Sequence, residues 1–217
     1  NGKTYELDTN LLMSYNALNV LTVLTTLEVL GVLNVSQFEK MLNELVIPGR
    51  AEVFRANGRL VVVDTHLPAM LECLKNLKDQ GKVNQIKVVV GSMGHGYKNW
   101  EEKFKTEEFA KKRKGVRKYA MNLLKGVVDH VYLTESDSGK EKPLDICEEM
   151  KSYLNDEVPS TIIVDREQAI KQAIMESQEG DVVFISGRGN RRVLCNSETT
   201  MKLLKDSDVV KKLFKNQ

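Results

Sequence analysis

The chain has 217 residues, 41% hydrophobic and 29% charged, the balance of a folded protein with room for one full domain and a sizeable extra piece, or for two small domains. Its 32 basic and 30 acidic side chains leave a formal charge of +2, so no net field favours nucleic acid or an anionic membrane, and neither is expected as a partner. No apolar run approaches the ~20 residues that span a bilayer, no signal-peptide pattern opens the chain, and Cys73, Cys147 and Cys195 lie far apart without a CxxC pair; a cytoplasmic protein without disulfides or a metal site is expected, its cysteines acting as small core residues.

At the start, Asn1-Gly2-Lys3-Thr4 copies the end of a phosphate-binding loop but lacks the upstream glycine and strand that such a loop needs, and it reads as coincidence. From Ser14 to Leu30, Leu18, Leu21, Leu24 and Leu27 recur at helical spacing and predict a largely buried helix, stopped by Gly31. Ser36 is placed to cap a second helix through Leu45, with Phe38, Met41, Leu42 and Leu45 on one face. Pro48 and Gly49 then break the chain, which puts a domain boundary between 1–47 and 48–217.

Beyond that boundary strands and helices alternate. Strands are predicted at Leu60 to Val63, Ile86 to Val90, Val131 to Leu133, Thr161 to Val164 and Val182 to Ser186. Helices are predicted through Leu77, near Ile146 to Leu154, and from Arg166 to Gln178. The pattern implies an α/β fold with a Rossmann-like, mostly parallel sheet flanked by helices on both faces. Between Lys98 and Lys118 many lysines and arginines mix with Glu101, Glu102, Glu107 and Glu108, and Trp100, Phe104 and Phe109 are interleaved. A solvated amphipathic helix is the favoured reading, and a base-stacking surface the alternative.

Ligands of open parallel sheets gather at the carboxyl ends of strands. Four such ends are polar here: Asp64-Thr65-His66, Gly91 through Gly96, Thr134 through Asp137, and Gly187 through Arg191. Arg117, Arg188 and Arg191 are suited to neutralising a phosphate or carboxylate through paired hydrogen bonds. His66 reads equally as a ligand contact or as a residue that stabilises its own turn, and His130 reads as a strand-edge residue. No Ser/His/Asp or Cys/His arrangement is legible, so no catalytic residue is assigned.

Taken in order, these segments resemble the Mur ligase family, and within it the MurE type. Asn16, in Ser14-Tyr15-Asn16-Ala17-Leu18, matches the second asparagine of N-x-x-N-A-L-A-A, where family members contact adenine; Met13 replaces the first. Ile47 to Val53 resembles P-G-R-M-E-V and carries Arg50, and Val63-Asp64-Thr65-His66-Leu67-Pro68 resembles V-D-Y-A-H-T-P, with Asp64 and His66 at matching positions. Gly91 to Gly94 corresponds to G-C-G-G, the D-R-D that follows in the family being replaced by the basic insertion. Val116-Arg117-Lys118 aligns with K-R-P, so Arg117 inherits a substrate-carboxylate role. Thr134 to Pro143, including Ser136, occupies the register of T-S-D-N-P-R-S-E-D-P, which grips the incoming amino acid, with Asp137 in place of the asparagine and Gly139 in place of the arginine. Ile163-Val164-Asp165-Arg166 matches V-I-x-D-R, and Gly187 to Arg191 stands in place of G-K-G-H-E, which puts Arg191 where the family has a substrate-reading glutamate.

The resemblance implies the helical tail of a central ATP-binding domain over 1–47 and the amino-acid-binding C-terminal domain over 48–217. It further implies part of an ATP-dependent, magnesium-using ligase that adds an amino acid to a UDP-linked muramoyl dipeptide in peptidoglycan synthesis. The preceding domains would be needed for turnover, so this chain is expected to be inactive alone. Nucleotide contacts would come from Asn16, Arg50, Asp64 and His66, and amino-acid contacts from Arg117, Ser136, Asp137, Gly187 and Arg191. The reversed charge at Arg191 counts against diaminopimelate. A noncatalytic ligand-binding module of the same fold is the alternative, and a folylpolyglutamate- or cyanophycin-type ligase ranks lower.

Overall fold

Asn34, rather than Ser36, caps the second helix: its side chain accepts from the Gln37 amide at 3.0 Å, so α2 runs over Val35–Glu44 after α1 over Ser14–Val29. The computed structural model describes residues 4–9, 11, 13–96, 101–195, 197 and 201–215, and divides the chain into two compact units, Asn1–Ile47 and Pro48–Gln217. In the first unit Leu24, Phe38 and Leu42 form a small core with Tyr5, Leu7 and Leu11 packed against it. The expectation that α1 is largely buried fails. Leu18 is 68% exposed and Leu21 55%, because apolar residues encircle this helix while its own unit covers one side.

The second unit opens with a hairpin, β1 (Glu52–Ala56) and β2 (Arg59–Asp64), of which the sequence reading foresaw only the second strand. Asn57 and Gly58 turn it with φ of 50° and 69°, the left-handed pair of a type I′ turn. The chain then runs α3 (Leu67–Asp79), β3 (Ile86–Val90), α4 (Glu107–Leu124), β4 (His130–Leu133), α5 (Pro143–Leu154), β5 (Ser160–Ile162), α6 (Arg166–Met175) and β6 (Val182–Ser186). A small hairpin, β7 (Val193–Cys195) with β8 (Met201–Leu203), and a last helix, α7 (Asp206–Lys215), were also not foreseen.

The six-stranded sheet has the order β1-β2-β6-β3-β4-β5, every neighbour parallel except the β1–β2 pair. Val61, Val63, Val89, Val183 and Ile185 face α6 and α7 in one core. Side chains alternate along a strand, so Val62, Val88 and Phe184 point to the other face, and each is fully buried. On that side α3, α4 and α5 lie in a row. Continuous apolar runs such as Val61-Val62-Val63 follow from this two-sided cover.

Two buried ion pairs fasten the margins. Lys87 Nζ in β3 lies 3.1 Å from Asp181 and donates to the Glu176 carbonyl. Arg166, the first residue of α6, is fully buried; it donates to both oxygens of Asp206 at 2.8 and 2.9 Å and to the Ser186 carbonyl, tying α7 to α6 and to the end of β6. In the basic segment, Thr106 caps α4 through the Phe109 amide, Met121 and Leu124 are buried, and Lys111, Lys112, Lys114 and Lys118 are exposed, which makes it an amphipathic helix with a solvated face. Trp100 lies outside the described residues, as do Asn1, Gly2 and Lys3 of the loop-like tetrapeptide. His130 starts β4 and hydrogen-bonds Thr161 at 2.9 Å, while of the cysteines only Cys147 is fully buried. Burial pushes the Cys147 thiol up to about 12, which leaves it an inert core group.

Candidate functional site

Strands β2, β6, β3 and β4 are neighbours and parallel, so the loops leaving their carboxyl ends share one rim. Hydrogen bonds join those loops: Gly187 N to Asp64 O at 3.1 Å, Thr134 N to Val90 O at 3.0 Å, and Gly94 N to Asp137 O at 2.8 Å. The four polar segments singled out in the sequence thus meet at one place. Gly94 is required there, because a Cβ at that position would lie 1.9 Å from the Ser138 carbonyl oxygen.

Asp64, fully buried at the end of β2, organises the first part of the rim. One carboxylate oxygen accepts from the His66 amide at 2.9 Å and the other from the Ala51 amide at 2.9 Å, which draws the turn after Pro48 against the strand end. Arg50 donates to the Thr65 hydroxyl and to the Gly49 carbonyl. Gly49 sits at φ 69° against Gly189 and Asn190, where a Cβ would come within 2.2 Å of the Asn190 nitrogen. His66 caps α3, its Nδ1 accepting from the Ala69 amide at 3.3 Å, so the turn-stabilising reading of this residue is realised.

Asp137 organises the second part. Its Oδ1 accepts from Arg188 Nη1 and the Cys195 amide, each at 2.9 Å, and its Oδ2 from Arg191 Nη1 at 2.9 Å. Arg188 also donates to the Val193 carbonyl at 2.7 Å, while its buried Nε has no hydrogen-bond partner. Ser136 is buried, Gly187 exposed. Pro48, Arg50, Thr65, Gly187, Asn190 and Arg191 line, with Arg188, an open cleft of about 540 Å³. Thr65 and Asn190 went unassigned in the sequence reading, although each adjoins a residue or motif already singled out.

Arg117, to which the resemblance gives a substrate-carboxylate role, is engaged within the fold. Its side chain is fully buried and grips Glu141 with both terminal nitrogens at 2.7 and 2.8 Å, reaches Glu149 at 3.1 Å, and donates to the Met93 carbonyl at 3.0 Å. A carboxylate does sit on this guanidinium, but the chain itself supplies it. His95 adds a 2.8 Å contact to Glu141. Burial alone would raise the Glu141 carboxyl, yet hydrogen bonds and charge from Arg117 and His95 outweigh it and hold the group below the usual carboxylate range. In the first unit Asn16 is 5% exposed, accepts from Asn19 Nδ2 at 3.2 Å, and lines an apolar groove of about 300 Å³ with Val20, Val23, Phe38 and Met41.

Residues 49–189, the span that contains this rim up to Gly189, match the family described as Mur ligase, glutamate ligase domain. The chain belongs to the Mur ligase family. It is 34% identical over 154 residues to the UDP-N-acetylmuramyl-tripeptide synthetase of Ligilactobacillus salivarius, covering 69% of this chain and 27% of that protein. It is 29% identical over 159 residues to the UDP-N-acetylmuramoyl-L-alanyl-D-glutamate–L-lysine ligase of Streptococcus thermophilus, covering 72% of this chain and 30% of that one. Among solved structures, a UDP-N-acetylmuramoyl-L-alanyl-D-glutamate–2,6-diaminopimelate ligase superposes with a TM-score of 0.64 at 26% identity, over 98% of this chain and 41% of its own. This Mur ligase chain therefore spans less than a third of the length of the two named relatives. Among the described residues, no helix is long and apolar enough to cross a membrane.

Proposed function

We propose that this chain is the C-terminal, amino-acid-binding portion of an ATP-dependent ligase that adds an amino acid to UDP-N-acetylmuramoyl-dipeptide in the cytoplasm, during peptidoglycan synthesis. The arginine-lined cleft at the carboxyl rim of the sheet carries this reading, because it lies at the strand ends where open parallel sheets hold their ligands, on a unit that contains the family match. Residues 1–47 are then the tail of the central ATP-binding domain, and 48–217 form a lid that closes over nucleotide and substrate.

In this reading ATP supplies the phosphoryl group that activates the muramoyl carboxylate. The chain's own work is positioning: Asn16, Arg50, Asp64 and His66 on the nucleotide side, and Gly187, Arg191, Ser136 and Asp137 on the amino-acid side. Asp64 and Asp137 act through other groups, the first by shaping the turn that presents Arg50, the second by holding Arg188 and Arg191. Among the described residues no group of three or more His, Cys, Asp or Glu side chains is disposed to hold a metal. On the ligase reading magnesium would be held by the ATP phosphates together with residues of the central ATP-binding domain, and no step is routed through it.

The test is a phosphate-release assay. This chain, given ATP, magnesium, UDP-N-acetylmuramoyl-dipeptide and a mixture of amino acids, should release no phosphate, whereas the full-length protein should do so only when an amino acid is present. Turnover by the chain alone would overturn the fragment reading. The engagement of Arg117 by Glu141 and Glu149 favours a second reading, a binding module that has lost ligation. A full-length protein that binds nucleotide or amino acid without any phosphate release would establish that one instead.

A further inference from the structure

On the ligase reading above, the charge of the rim cleft decides which acceptor amino acids enter it. The lining contributes Arg50, Arg188 and Arg191, with Thr65, Asn190 and Gly187, and no carboxylate. The carboxylate that two of these arginines share, Asp137, is 7% exposed and already accepts from Arg188, Arg191 and the Cys195 amide. An incoming side-chain ammonium therefore meets no carboxylate in this lining, and the guanidinium charges repel it at short range.

Two further observations point to an anionic occupant. Arg188 is 1% exposed, yet its Nε lacks a hydrogen-bond partner, a costly state for a buried donor that a ligand oxygen would relieve. Arg191 has 49% of its side chain exposed and commits only Nη1 to Asp137, so the rest of its planar donor fork is open to a second oxyanion. Three guanidinium charges less one shared carboxylate leave the lining net positive, which suits an amino acid whose second carboxylate makes it net negative despite its α-ammonium.

We propose that the acceptor is a dicarboxylic amino acid, its side-chain carboxylate seated against Arg188 and Arg191, and that amino acids with cationic side chains are refused. The experiment is calorimetric titration of the full-length protein with glutamate, aspartate, alanine and lysine, magnesium and a nonhydrolysable ATP analogue being kept saturating so that phosphate sites are already filled. One of the two acids should bind about tenfold or more tighter than alanine, and lysine should not bind measurably. Arg191→Gln should weaken the acid by about tenfold to a hundredfold, the loss of one charge-assisted pair, and leave the affinity for the ATP analogue unchanged.

Equal binding of lysine or alanine would overturn the proposal, and so would a variant that loses the nucleotide instead of the amino acid, which would assign the cleft's charge to phosphate. If Arg191→Gln does not fold, the order of the four amino acids on the unaltered protein decides alone. Phosphate release is measured in parallel: its absence with every amino acid counts against ligation, while the binding order still tests the acidic preference.

Discussion

Arg117 is the centre of a buried charge cluster. Its guanidinium holds Glu141, Glu149 and the Met93 carbonyl inside the fold, and Arg117→Met would leave Glu149 without its cation and Glu141 with only the His95 ring beside it. Removing one side of such a buried pair costs roughly 3–5 kcal/mol, and urea denaturation of the variant should show a loss of that size. A change below about 1 kcal/mol would mean that the cluster is solvated and contributes little. The pH dependence follows from Glu141. Its folded-state pKa is depressed, so its contribution to stability is complete above the unfolded value near about 4.3 and disappears as pH falls through the lower folded value. Glu141→Gln should therefore flatten the acid limb of the stability curve, which a denaturation series from pH 7 to pH 3 would reveal. None of this was legible beforehand, since Glu141 and Glu149 lie 24 and 32 residues from Arg117 and no local period connects them.

At the scale of elements, what the sequence reading caught and missed divides along physical lines. The central strands were read correctly because both of their faces are buried, so each is an unbroken apolar run; β3 and β6 begin and end where expected. Strand β1 escaped because Glu52-Val53-Phe54-Arg55-Ala56 is an edge strand with mixed exposure, although the Asn57-Gly58 turn beside it is a strong hairpin signal. Substituting Gly58 tests that turn: φ is 69° and an added Cβ would meet the Glu179 side chain at 2.4 Å, so Gly58→Ala should cost about 1–3 kcal/mol in thermal or chemical unfolding. Helix α7 escaped for another reason, its docking being set by a distant ion pair. Asp206→Ala would strand the buried Arg166 and should release α7, seen as rapid amide exchange over residues 206–215 in a protein that is otherwise protected. Exchange unchanged from the parent would show that apolar contacts through Val209 and Val210 suffice.

For the whole molecule, the division between Ile47 and Pro48 has an experimental consequence. The sheet, both of its helical layers and all the arginines of the cleft belong to 48–217, so that piece should fold alone and unfold in one cooperative step. A noncooperative melt would show that the first unit supplies something the sheet domain needs. The rim itself was the part of the site most open to sequence reasoning, because ligands of parallel sheets collect at strand ends whatever the chemistry. The pairing of Asp137 with Arg188 and Arg191 was not, since it depends on how two loops some fifty residues apart happen to meet.

Helix α1 turns Leu18, Leu21, Val29 and Leu30 outward, side by side with Thr22, Thr25 and Thr26. Water meets a greasy bar on this chain, and bars of that kind find one another. Purified at this length, the protein should therefore behave as an adhesive: clear when dilute, heavier by light scattering as it is concentrated, and heavier still in sulfate, which strengthens apolar association.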